Sequence, residues 1–219
     1  VYQLPAIFPS PDLANVGFHL SGVGAQAPFL VLMADEMPDV QLTSNGQFFP
    51  RYTYVEQGGS DNLLDAAADD GRPYRRVDNI TEAIHAQYRK AYGEDVTKDD
   101  IFFYVYGLLH SPEYRSRFQP DLKKMLPRIP KVEDFREFSD AGRQLSDLHL
   151  GYESVDLYEL EITERLDSSL RVKKMKFGGS GKSKDRSTII YNDQITVTGI
   201  PEEAYRYMLG SRSAIELVM

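Results

Sequence analysis

Thr97-Lys98-Asp99-Asp100-Ile101-Phe102-Phe103-Tyr104-Val105-Tyr106-Gly107-Leu108-Leu109-His110-Ser111-Pro112 is the stretch from which the fold can be read. Thr97 and Asp100 have the spacing of a helix cap, in which a hydroxyl accepts from a first-turn amide and the acid returns the bond. Ile101, Val105, Leu108 and Leu109 recur at three- and four-residue spacing and predict an amphipathic helix. Ser111-Pro112 ends it, because a residue before proline is pushed out of helical geometry. Upstream, Asn79 with Glu82 resembles a capping box opening a helix that carries Ile84, Tyr88 and Ala91, with Gly93 placed to stop it. Downstream, short helices are expected over Glu113–Phe118 and Pro120–Leu126. Beyond Pro127-Arg128-Ile129-Pro130 a long helix sets Phe135, Phe138, Gly142, Leu145 and His149 on one face.

Strand patterns flank this helical bundle. Val16–Leu20, Phe29–Met33, Val40–Leu42 and Phe48–Val55 are punctuated by Gly22, Gly24, Pro38, Asn45-Gly46 and Pro50. Residues 56–78 begin with turn composition of low periodicity and are expected to form a mobile loop. After about Asp156 strands return over Leu157–Ile162, Leu170–Phe177, Ser187–Tyr191 and Ile195–Thr198. Asn192-Asp193 is expected to be a two-residue hairpin turn and Gly178–Lys184 a flexible tip. Short helices after Pro201 and from Ser211 close the chain. The class is α+β: a β-rich segment (1–55), the loop, and a helical core with C-terminal β-hairpins and short terminal helices (79–219).

The 219 residues carry a net charge of −8, and that charge is unevenly spread. Residues 1–70 hold one basic residue, Arg51, against nine acidic ones, whereas the remainder is neutral. Within the neutral part Arg171, Lys173, Lys174, Lys176, Lys182, Lys184 and Arg186 stand against Asp185 alone. Such a run is either a solvated hairpin or an arm that grips phosphate. Arg72, Tyr74, Arg75 and Arg76 form a second cluster; arginine forks match guanine edges, and ion pairing with the abundant acids accounts for them equally well. The chain has no cysteine, which excludes disulfide scaffolds, cysteine-ligated zinc and cysteine nucleophiles, and suits a reducing cytoplasm. No apolar run approaches the roughly 18 residues that span a bilayer.

Catalytic motifs are weak. Gly22-Val23-Gly24-Ala25-Gln26-Ala27 has the letters of a dinucleotide turn, but Pro28 and a strand-like run follow. Gly178-Gly179-Ser180-Gly181-Lys182-Ser183 has the end of a phosphate-binding loop, with Lys176 where its first glycine belongs. Asp121-Leu122-Lys123 lies in a helical segment rather than on a nuclease hairpin. His19, His85, His110 and His149 fall in four elements without metal-ligand spacing and read as packed or capping residues. The flipped-adenine loop of an amino-methyltransferase carries two adjacent prolines before an aromatic residue, and no two prolines here are adjacent. No catalytic and no metal residue is assigned.

Several longer strings carry a family resemblance: Val1-Tyr2-Gln3-Leu4-Pro5-Ala6-Ile7-Phe8-Pro9, Gln47-Phe48-Phe49-Pro50, Asp99 through His110, Leu126-Pro127-Arg128-Ile129-Pro130, Leu148-His149 with Tyr152-Glu153, and Tyr191-Asn192-Asp193 through Gly199-Ile200-Pro201. Together, and in this order, they resemble the C-terminal specificity region of type ISP restriction-modification enzymes, also known as predicted helicases. The resemblance implies a parent polypeptide with a nuclease, an ATP-dependent motor, a coupler, an adenine-N6 methyltransferase and, last, a segment that recognises double-stranded DNA. It implies ATP, Mg2+ and S-adenosylmethionine for the parent and no cofactor for this segment. Family sequences continue upstream of Val1, so the first strands are expected to lack partners, and residues 1–55 to pack on the methyltransferase region. The alternative is an interaction module that couples motor to methyltransferase and never touches bases. A DNA reader should gather its arginines and lysines on one face.

Overall fold

The computed structural model describes residues 4–25, 28–39, 42, 45–57, 73–172, 174–181, 183–209 and 211–219. The chain divides into two compact units, Val1–Ser154 and Val155–Met219. The fold is α+β, as the sequence indicates. The first unit runs α1 (Leu4–Ile7), β1 (Gly17–Leu20), β2 (Val31–Ala34), β3 (Gln47–Pro50), β4 (Tyr52–Glu56), β5 (Tyr74–Asp78), α2 (Glu82–Tyr92), α3 (Lys98–His110), α4 (Pro112–Leu122) and α5 (Phe135–Leu150). The second holds β6 (Glu161–Glu164), β7 (Lys176–Ser180), β8 (Ser183–Ile190), β9 (Ile195–Thr198), a 3-10 turn (Glu202–Tyr205), a two-residue ribbon β10–β11 (Met208–Leu209, Arg212–Ser213) and α6 (Ala214–Val218).

In the first unit β1 is the central strand of an antiparallel sheet β2-β1-β3, so the expectation that the first strands lack partners is corrected: β1 finds both within the chain. The expected strand Phe48–Val55 is two strands broken at Arg51, which leaves β4 to pair with β5 as a separate ribbon. Tyr74–Asp78 is therefore strand and not loop. Its two arginines masked the alternation that a strand would show. Residues 58–72, the body of the expected loop, lie outside the described residues, as do Val40 and Gln41 of the third expected strand.

Helix α3 forms as read, with the Thr97–Asp100 capping box complete and Ser111 as its C-cap. For α2 the cap is Thr81, whose side chain accepts from the Ile84 amide, rather than Asn79. Asn79 instead reaches across to Thr53 Oγ1 at 3.1 Å and to the Pro50 carbonyl at 2.9 Å. The two short helices expected around Pro120 are one helix, α4, with the proline inside it.

Helices α3 and α5 meet backbone to backbone. A Cβ on Gly107 would fall 2.2 Å from the Phe138 carbonyl, and one on Gly142 2.0 Å from that of Phe103. Ser139 lies buried in the same seam and donates to the Asp100 carbonyl at 2.9 Å.

The core above this seam is aromatic: Tyr88, Tyr104 and Phe135 pack together, and Phe135 stacks on Tyr92 at 4.4 Å. Buried tyrosine hydroxyls need acceptors, and the proline-bearing segment after α4 supplies them. Tyr114, Tyr104 and Tyr92 donate to the carbonyls of Arg128, Pro130 and Val132 at 2.8, 2.5 and 2.8 Å. Alternate carbonyls of one extended strip thus tie three helices, where the prolines could not have donated to a sheet.

Candidate nucleic-acid interface

The basic run of the second unit falls on the outer edge of the sheet β6-β9-β8-β7. Strands β7 and β8 pair up to Ser180↔Ser183, so residues 181 and 182 alone separate them. The expected flexible tip is therefore ordered strand through Gly178–Ser180. Gly181 turns the chain there, and Asn192-Asp193 is not a two-residue turn. Residues 191–194 make a longer loop, closed by the Asn192 side-chain oxygen, which accepts from the amides of Gln194 and Ile195 at 2.8 Å each.

Between Phe177↔Ile189 and Gly178↔Asp185 the register slips, leaving Arg186, Ser187 and Thr188 as a bulge in β8. Two glycines serve this geometry rather than leaving room for a ligand. A Cβ on Gly178 would meet Thr188 Cβ at 2.8 Å, and one on Gly179 the Ser183 carbonyl at 2.2 Å. Gly181, at φ +61° with open space around it, is the turn residue.

The candidate cations separate by role. Arg171, Lys174, Lys176 and Lys184 are exposed, whereas Lys173 and Lys182 lie outside the described residues. Lys176 and Lys184 line one concavity of about 370 Å³ with residues 178–181 and Met219. Arg186 is committed elsewhere. Its guanidinium sits 4.0 Å over the Tyr205 ring and 5.9 Å from Phe177, and pairs with Glu216 at 3.2 Å. The Tyr205 hydroxyl donates to the Arg186 carbonyl at 2.6 Å, and the Ile200 amide to that of Ser187 at 3.1 Å. Asp185, the one acid of the run, accepts from Ser187 N and Oγ at 2.9 and 2.6 Å. Hydrogen bonds from Ser187 and Thr188 hold its carboxyl below the usual aspartate range. Glu216 is likewise lowered, first by the Ser213 amide in the capping box of α6. That box was visible in the sequence as Ser213-x-x-Glu216; the Tyr205 contact carried no signal.

The second cluster lies on the ribbon β4–β5. Arg72 falls outside the described residues. Tyr54 pairs with Arg76 and Val55 with Arg75, and because strand neighbours alternate, Arg75 and Arg76 face opposite ways. The buried, ion-paired arginine is none of these but Arg51, which contacts Asp78 at 2.5 Å and Asp99 at 2.8 Å. Burial opposes its charge, yet the hydrogen bonds to Asp78 and Asp99 outweigh it and hold its pKa above the ordinary value.

The other motifs resolve into packing. Gly178–Ser180 and Ser183 lie on the paired strands β7 and β8 with no helix after them, and Asp121–Lys123 is the end of α4. A Cβ on Gly22 would meet the Asn45 carbonyl at 1.8 Å, so that glycine is a contact and not a phosphate turn. The histidines are packed side chains. His19 is buried in β1, and His110 and His149 approach each other at 5.7 Å between ring centroids with Tyr106 between α5 and β2. Burial lowers His110 to about 4, with the nearby Arg115 and His149 adding to it, and burial lowers His19 and His149 as well. Among the described residues no cluster of histidine and acidic side chains could hold a metal ion, and no helix is long and apolar enough to cross a membrane.

Residues 1–219 match the family described as the Type ISP C-terminal specificity domain over their whole length. The chain belongs to this family. Three solved structures share the specificity domain's fold and a third of its sequence. A nuclease-deletion mutant of the Type ISP restriction-modification enzyme LlaGI, in complex with a DNA substrate mimic, is 35% identical with a TM-score of 0.72, covering 99% of this chain and 17% of that one. DrdV in a DNA complex is 31% identical with a TM-score of 0.81, covering 99% and 21%. The ATP-dependent Type ISP enzyme LlaBIII, bound to DNA, is 32% identical with a TM-score of 0.77, covering 99% and 13%. The specificity domain thus spans about a fifth or less of the length of these proteins. No curated protein sequence matches it.

Proposed function

We propose that this specificity domain recognises a duplex DNA sequence for a cytoplasmic, single-polypeptide restriction-modification enzyme and has no catalytic role of its own. The observation that carries the reading is the exposed Lys174, Lys176 and Lys184 on and before an ordered edge hairpin, in a chain 31–35% identical to three proteins solved with DNA or a DNA mimic. Phosphate contacts of this kind supply affinity, and groove contacts elsewhere supply discrimination. The nuclease, ATP-driven motor and adenine-N6 methyltransferase, with ATP, Mg2+ and S-adenosylmethionine, belong to the rest of the polypeptide. The glycine-rich strings here do not fit a nucleotide: one is an internal contact and the other a hairpin. The methyltransferase region is the intramolecular partner, with residues 1–55 packing on it.

The test is a salt titration of DNA affinity. Each phosphate contact contributes about 0.9 to the slope of log affinity against log salt, so replacing Lys174, Lys176 and Lys184 with Ala should flatten it by roughly 2 to 3 units. An unchanged slope returns these lysines to ordinary solvated surface.

A second reading, the coupling module, is favoured by one observation. Leu157, Leu166 and Leu170 are 92%, 95% and 73% exposed in a stretch rich in Glu and Asp, a surface suited to protein and not to DNA. A domain that binds no duplex at any salt concentration would decide for it.

A further inference from the structure

The ribbon β4–β5 offers a surface unlike the basic hairpin. It is two-stranded among the described residues, with no third strand beside it. One face is anchored. Tyr54 is buried there and donates to the Ala14 carbonyl at 2.6 Å, and the Arg76 guanidinium lies 4.2 Å over the Tyr52 ring. Asp78, on the same face, holds Arg51. The opposite face carries Thr53, Val55, Arg75 and Val77. Val55 is 49% exposed, and Arg75 is exposed with no hydrogen bond, ion pair or ring contact among the described residues. An exposed guanidinium beside aliphatic side chains, on a backbone fixed from behind, can reach a phosphate or a base edge. It suits a base edge: a guanidinium fork matches guanine O6 and N7, aliphatic groups match the thymine methyl, and the major groove admits a two-stranded ribbon.

We infer that the outer face of β4–β5 enters the major groove, with Arg75 reading a guanine and Val55 contacting the adjoining pair, while Arg76 is a positioning residue that stiffens the ribbon. This rests on the DNA-recognition reading and divides the arginine cluster that the sequence left as one group. Rigid placement is what lets a single side chain discriminate, and the anchored face supplies it. A protein surface is the competing occupant, and the experiment separates the two.

The 219-residue chain and its Arg75→Ala, Arg75→Lys and Arg76→Ala variants are each equilibrated with a randomised duplex pool, and bound sequences are read by sequencing. Arg75→Ala should keep its melting temperature and the salt slope within one unit. Its preference at one guanine-containing position should fall roughly 10- to 100-fold. Arg75→Lys should recover only part of that, since a lysine lacks the fork. Arg76→Ala should lower the melting temperature. If Arg75→Ala retains the full preference of the wild type, the inference fails and the DNA-recognition reading stands. If Arg75→Ala loses all binding with its fold intact, the residue grips rather than reads, and the inference fails again. If the wild type enriches no sequence and binds no duplex, the functional reading falls with it, and the ribbon face is a protein contact.

Discussion

Through Ser154 the chain buries aromatic side chains in quantity and gives most of their hydroxyls an acceptor, while from Val155 onward only Ile195, Ile200 and Tyr205 are buried hydrophobics among the described residues. The first unit is defined from inside by shape: a glycine seam between α3 and α5, a cluster around Phe135, and tyrosines tied to one extended strip. The second is defined by pairing and by pins. Its sheet is held by strand ladders, the bulge by Asp185 and Tyr205, and α6 by Glu216 on Arg186. A unit of that size with so small a core has little stability to spare, and Leu157, Ile162, Leu166 and Leu170 remain exposed. The contrast separates a scaffold that stores stability from an appendage that spends its residues on surface. The ribbon that carries Arg75 belongs to the first, and the lysine hairpin to the second.

The largest effect should come from Phe135→Ala. Phe135 is fully buried against Tyr88, Tyr92 and Tyr104, and truncation of such a residue costs about 3–5 kcal/mol. Hydrogen exchange followed by mass spectrometry should show protection lost over 98–110 and 135–150 while peptides from 176–198 keep theirs. Simultaneous loss in both would show one cooperative block and remove the distinction between the units.

Acid should act on the same side. All four histidines lie in the first unit, and His110 titrates near 4 instead of 6.5 because burial disfavours its charge. The unfolded chain therefore binds the extra proton first. Stability is full above about pH 6.5, falls as pH drops towards 4, and is then level for this group, a loss of about 3 kcal/mol. His19 and His149, also lowered, act in the same direction. Denaturation midpoints between pH 7 and 4 should fall for the first unit before the second. His110→Gln should flatten that dependence, and an unaltered curve would mean that the ring is not the titrating group.

How much of this was legible follows from what each signal depends on. Helix α3 and its cap were readable because the Thr97–Asp100 box and the apolar spacing are local, and Gly142 was placed on the correct face of α5 for the same reason. Gly107, its partner across the seam, lay in plain view and had no meaning until two helices were crossed. Strand β5 was missed because its register is set by β4 across a long connection, and Arg75 and Arg76 could not be told apart before that register was known. The lysine run was found from charge alone. That Arg186 is a pin and not a free cation depends on Tyr205 and Glu216, which are distant in sequence and arrive only with the fold.

The smallest expected effect tests that pin directly. Tyr205→Phe keeps the ring beneath the Arg186 guanidinium and removes only the hydroxyl that donates to the Arg186 carbonyl at 2.6 Å. A single hydrogen bond of this kind contributes about 1 kcal/mol, so the amides of the bulge, Arg186–Thr188, should exchange roughly fivefold faster while those of α3 and α5 do not change. Arg186→Ala removes the stack and the Glu216 pair together and should loosen α6 as well. If Tyr205→Phe leaves the bulge as protected as before, the Ile200–Ser187 backbone bond and the Asp185 carboxylate hold it without help. If it acts as expected, any weakening of DNA affinity in an Arg186 variant is first a loss of hairpin shape. That is why a salt slope should be read from Lys174, Lys176 and Lys184, whose heads are exposed and whose removal leaves the pin in place.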